Sequence, residues 1–105
     1  MSQDFLINAT GSGDTTLVAA PGARQFIRVL HYHVTAKSPT VVTMKSGSTT
    51  KDICYATNAS GGGIATPEYP TGIFDCGLGE ALIINLSTAA SVGGAGKYTI
   101  KGQAT

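Results

Sequence analysis

The chain has 105 residues, a mass of 10.7 kDa and a formal net charge of +1. That length holds one hydrophobic core, not two. Charged residues are only 12% of the chain, which argues against disorder and against a sequence-independent grip on nucleic acid, and no apolar run approaches the roughly 20 residues of a membrane span.

With few charges, the polar surface falls to Ser and Thr, 22 together, beside 14 Gly. Threonine suits pleated strands and glycine suits turns, whereas the usual helix formers Leu, Lys, Glu and Arg are sparse. Residues 4–9 alternate, with Phe5, Ile7 and Ala9 on one face, and residues 11–14 read as a turn. Residues 15–20 form a second strand ended by Pro21-Gly22. Residues 24–36 are the longest extended stretch, broken at Ser38-Pro39. Residues 40–46 carry Val42 and Met44 inward, Gly47-Ser48 turns the chain, and residues 50–56 return. Residues 58–63 read as a flexible loop. Residues 64–66 make a short edge strand, since Pro67 and Pro70 lack ladder donors. A short strand at 73–76 and a turn at 77–79 follow. Residues 81–86 then carry Leu82, Ile84 and Leu86 on one side. Residues 91–96 read as another glycine-rich turn, and residues 97–101 alternate with Tyr98 and Ile100 inward.

No segment sustains a helical period. About eight or nine short antiparallel strands, with turns roughly every 8–12 residues, predict a single all-β domain over 1–105, a β-sandwich of jelly-roll type. Residues 1–10 are expected to form an extended N-terminal segment. The acidic start Met1-Ser2-Gln3-Asp4 is unlike a signal peptide and points to assembly in a cytoplasm.

The stretch 24–36 is apolar on both faces. One face carries Phe26, Leu30, Tyr32 and Val34, and the other carries Ile27 and Val29, then His31 and His33. A strand with one solvated face does not have that pattern, so the second face needs a cover. Two covers fit: the protein's own N-terminal segment, or a neighbouring subunit. Phe26, Ile27, Val29, His31 and His33 are therefore the self-association candidates.

Sites for chemistry are sparse. His31 and His33 point the same way on a strand, and two imidazoles on one face can hold a metal. They are the only histidines, and Ala36 and Lys37 stand where a cupin would place a glutamate. Cys54 and Cys76 lack Cys-x-x-Cys spacing, and free thiols acting as small apolar residues are expected. No Gly-x-Ser-x-Gly elbow is present. Asp75 and Glu80 flank a turn, a spacing compatible with paired carboxylates, but charges beside a hairpin turn are ordinarily just solvated. No catalytic residue, cofactor, metal, small-molecule substrate, nucleic acid or membrane partner is expected.

Three stretches occur in order: residues 23–30 (ARQFIRVL), 67–74 (PEYPTGIF) and 79–87 (GEALIINLS), with the TVVTMKSG strand of 40–47 between the first two. Together they resemble a group of small tailed-bacteriophage virion proteins of about this size, over roughly residues 14–101. The resemblance implies a β-sandwich without enzymatic activity. The small β-sandwich decoration, or cement, proteins of phage capsids imply in turn a homotrimer bound to the major capsid protein on the virion surface. The candidates for reaching the shell are Phe5 and Ile7 in the N-terminal segment and Asn58, Gly61, Gly62 and Gly63 in the loop. A glycan-binding or structural β-module of a tail or head fibre is the alternative, with Tyr32, Tyr55, Tyr69 and Tyr98 as aromatic platforms and no Trp to help them.

Overall fold

The structure, a computed structural model, describes residues 2–57, 62–67 and 71–102. Among these residues every regular element is a strand: β1 (Gln3–Ala9), β2 (Gly13–Val18), β3 (Gln25–Ala36), β4 (Thr40–Ser46), β5 (Thr49–Ala56), β6 (Gly62–Ala65), β7 (Phe74–Asp75), β8 (Leu82–Leu86) and β9 (Val92–Gly102). They form two antiparallel sheets. Sheet A runs β1-β9-β3-β6, with β7 beside β6 on the same side of β3, and sheet B runs β2-β8-β4-β5. Apart from β7, the chain changes sheet at every connection except the β4–β5 hairpin. That path is the doubled Greek key of a jelly roll.

Alternation drives the layering. β1 buries Phe5, Ile7 and Ala9, β4 buries Val42 and Met44, and β8 buries Leu82, Ile84 and Leu86. These side chains meet Ile27, Val29, Tyr32 and Val34 of β3 between the sheets in one core. Each large apolar side chain fully buried there is worth about 1.5–3 kcal/mol, which is what holds the sheets face to face.

The structure corrects four expectations. First, the two-faced pattern of β3 has an internal cause. The register against β9 pairs Val29 with Tyr98 and His31 with Lys97, which leaves Leu30 as an extra residue. A bulge of one residue reverses which side chains face inward. Ile27 and Val29 point into the core before it, and Tyr32, Val34 and Ala36 after it. Ile27 and Val29 are 0% exposed and therefore are not a self-association surface.

Second, residues 91–96 are not a turn, because Val92 to Gly96 form the first half of β9 between β1 and β3. Small residues are required there. A Cβ on Gly96 would lie 2.4 Å from Phe5 Cζ and 2.5 Å from the His31 carbonyl oxygen, and one on Gly94 would lie 2.0 Å from the His33 carbonyl oxygen. Third, the N-terminal segment does not reach outward. It is β1, paired with β9 along its whole length, and Phe5 and Ile7 sit in the core rather than at a shell contact. Fourth, Gly62 and Gly63 belong to β6 and pair with Ala36 and Thr35, so they are ladder residues rather than a reaching loop. Asn58 and Gly61 lie outside the described residues.

Candidate interaction surfaces

With Ile27 and Val29 inside, the outer face of sheet A carries Phe26 and Arg28 before the bulge and His31, His33 and Thr35 after it. Phe26 is half-buried, with the Arg28 guanidinium 5.5 Å from its ring centre. Arg28 also donates from Nε (2.8 Å) and Nη2 (3.1 Å) to the two oxygens of Asp75. This fork ties β7 to β3 on the surface.

Further along, register sets the outward rows. Leu6, Ala95, His33 and Ala65 lie across four neighbouring strands, and Asp4, Lys97 and His31 form the next row. Ala95 and Gly96 floor a groove of about 440 Å³ whose walls include Leu6, His31, His33 and Lys97. Leu6 is 71% exposed. His31 and His33 thus share a face as expected. Among the described residues, no group of three or more His, Cys, Asp or Glu side chains is arranged to hold a metal ion.

The outer face of sheet B is divided. Asp14 accepts from Asn85 Nδ2 at 2.7 Å and from Lys45 Nζ at 3.2 Å. These two partners hold its carboxyl below the ordinary value of 3.8, the Asn85 hydrogen bond contributing most. Toward the β5 edge the surface is apolar: Tyr55 is 71% exposed and Ile53 41%, opposite Val41 and Thr43.

Polar groups inside the sandwich are paired with one another. Tyr32 Oη donates to Asp52 Oδ2 across the sheets, and burial followed by this hydrogen bond raises the phenol's pKa. Ser46, fully buried, donates to Glu80 Oε1 at 2.5 Å and accepts from Gly77 N at 2.8 Å. Asp75 and Glu80 are therefore held apart by separate partners, Arg28 and Ser46, rather than paired as carboxylates. Cys54 and Cys76 are free thiols, and burial pushes both toward the protonated form, which is the unreactive one.

Of the sequence-derived contact residues, Phe26, His31 and His33 lie on the outer face of sheet A, while Ile27, Val29, Phe5 and Ile7 are in the core. Among the described residues the most exposed large apolar side chains are Leu6 and Tyr55; Tyr55 was named only as an aromatic platform for the fibre-module alternative, and Leu6 and Ile53 were not named at all. The signal was present. Leu6 interrupts the polar positions of 4–9, and Tyr55 and Ile53 stand one step out of phase with Cys54.

No protein-family model matches the chain, and no curated protein matches it significantly. Similar solved structures include one that matches over 99% of this chain and 88% of its own, at 13% identity and TM-score 0.49; it comes from work on Bacillus endospore appendages, described as a novel family of disulfide-linked pili. A likeness at that level bears on neither the activity nor the partners of this chain.

Proposed function

We propose that this chain is a non-enzymatic structural subunit of a tailed-phage virion, a decoration protein assembled in the host cytoplasm and seated on the capsid surface against the major capsid protein. The observation that supports this reading best is the β5 surface. Tyr55 and Ile53 stand exposed on the outer face of sheet B in a protein with only 12% charged residues. Tyrosines with an apolar surround are frequent anchors of protein interfaces, and truncating such an anchor costs about 2 kcal/mol or more of binding energy. Co-sedimentation with expanded shells of the cognate phage tests the reading. The wild-type protein is expected to pellet with shells, and Tyr55→Ala is expected to weaken that association at least tenfold. Wild-type protein left wholly in the supernatant would overturn it.

A glycan-binding module of a tail or head fibre is the second reading. It is favoured by the same Tyr55, an aromatic face with Thr43 and Asn85 on neighbouring strands. A glycan array that stays dark with folded protein removes it. The homotrimer implied by the decoration-protein resemblance needs three copies around one axis. The mass in solution reads the copy number.

A further inference from the structure

A sheet edge presents unpaired N–H and C=O groups, and proteins ordinarily blunt such edges with bulges, lysines, prolines or short strands. Three of the edges in this sandwich are blunted. β2 carries a register shift between Thr16 and Val18. β5 carries another opposite Met44 and Lys45, where Lys51 is the extra residue. The far side of β3 is taken up, among the described residues, by the four-residue β6, the two-residue β7 and single backbone hydrogen bonds from Thr66, Ile73, Cys76 and Gly79, so no long strand lies there. β1 is different. It is seven residues long, pairs with β9 in unbroken register, and contains no lysine, arginine or proline. Its outward row is Asp4, Leu6 and Asn8, all exposed.

From this we infer that β1 is a self-association edge, and that two copies of the chain join sheet A to sheet A through antiparallel β1–β1 pairing about a two-fold axis at Leu6. Leu6 is the midpoint of Gln3–Ala9, so this register pairs every residue of the strand. On the outer face it sets Leu6 against the second copy's Leu6. Asp4 faces the second copy's Asn8, so an amide donor meets a carboxylate acceptor twice and the two carboxylates stay apart. On the inner side Phe5 faces the second copy's Ile7, which continues the apolar layer. Such a two-fold contact is self-complementary, as an isologous interface must be. One strand about 24 Å long, at about 3.4 Å per residue, gives an interface at the low end of the size range, so the dimer is expected to depend on concentration.

This contact does not require a capsid partner, and its test is separate from shell binding. Light scattering across a concentration series should show the mass of the full chain rising from 10.7 kDa toward twice that value. Leu6→Lys, at a 71% exposed position, should stay monomeric with an unchanged melting curve, and Tyr55→Lys should dimerise as the wild type does. Register is tested by charge exchange. Asn8→Asp sets like charges opposite one another and should weaken dimerisation at least tenfold, while Asp4→Asn combined with Asn8→Asp restores the complement and the dimer. A wild type that is monomeric throughout the series, a trimer, a dimer that survives Leu6→Lys, or a double variant no better than Asn8→Asp alone would each overturn the inference.

Discussion

Tyr32 joins the two sheets through one side chain. Its ring lies in the core, 1% of the residue is exposed, and its hydroxyl donates to Asp52 on the facing sheet. Tyr32→Phe keeps the ring and removes the donor, leaving the Asp52 carboxylate with the Ile53 amide. The expected cost is about 1–3 kcal/mol, read as a lower urea midpoint at unchanged slope. Asp14 sets the acid limb of stability in a predictable direction. Asn85 and Lys45 lower its pKa in the folded state, so its contribution is present above the ordinary carboxylate value and is lost as the pH falls through the lowered one. Asp14→Asn should therefore be less stable than wild type at pH 7 and indistinguishable from it near about pH 2, in urea titrations at both values. The side chain is exposed, so added salt should shrink the difference at pH 7.

At the scale of elements, β9 and β3 show what packing imposes on a strand. Gly96 lies where Phe5 crosses β9, and a methyl group there would sit inside van der Waals contact with the ring. Gly96→Ala should destabilise the protein by about 1–3 kcal/mol through this overpacking, measured by thermal or urea unfolding. Ile27→Asp places an unpaired charge at a position with no exposure and should abolish folding, seen as loss of the β-sheet circular dichroism signal. Leu6→Lys, by contrast, should leave the signal intact. The same two strands mark the limit of what was legible beforehand. β4 and β8 alternate without interruption, and their inward residues are plain in the sequence. The first half of β9 was not legible, because glycine is a turn residue by propensity and here answers to a ring on β1. The phase change in β3 was hidden as well. A bulge is defined by what stands opposite it, and Lys97 and Tyr98 are far from Leu30 in sequence. The expected shared face of Ile27, Val29, His31 and His33 is split accordingly: His31 and His33, after the bulge, lie on the outer face, and Ile27 and Val29, before it, lie in the core.

At the scale of the whole molecule, β1 is both the first strand and an indispensable wall. It contributes Phe5, Ile7 and Ala9 to the core and leaves β9 with a partner on each side. Deleting residues 2–9 would uncover those contacts. Phe5 and Ile7 alone account for several kcal/mol at about 1.5–3 kcal/mol each, a large share of the about 5–15 kcal/mol by which domains are usually stable. The truncated chain is expected to lose its cooperative melting transition in calorimetry. Strand pairing between residues so distant in sequence also places the fold among slow folders, in the ms–s range.

The pairing of β1 with β9 also has a mechanical consequence. Gln3 stands opposite Tyr98, so β1 begins and β9 finishes toward the same end of one antiparallel ladder. Ladder hydrogen bonds lie perpendicular to the strands. Tension applied through the two ends therefore pulls along those bonds and opens them one after another, like a zipper, instead of shearing them all at once. Pulled from that end, the β1–β9 ladder is expected to open at a lower force than one loaded in shear, a difference that single-molecule force spectroscopy reads. Load carried through the broad faces of its sheets meets the packed core instead, and a subunit serving as a brace would have to be gripped there.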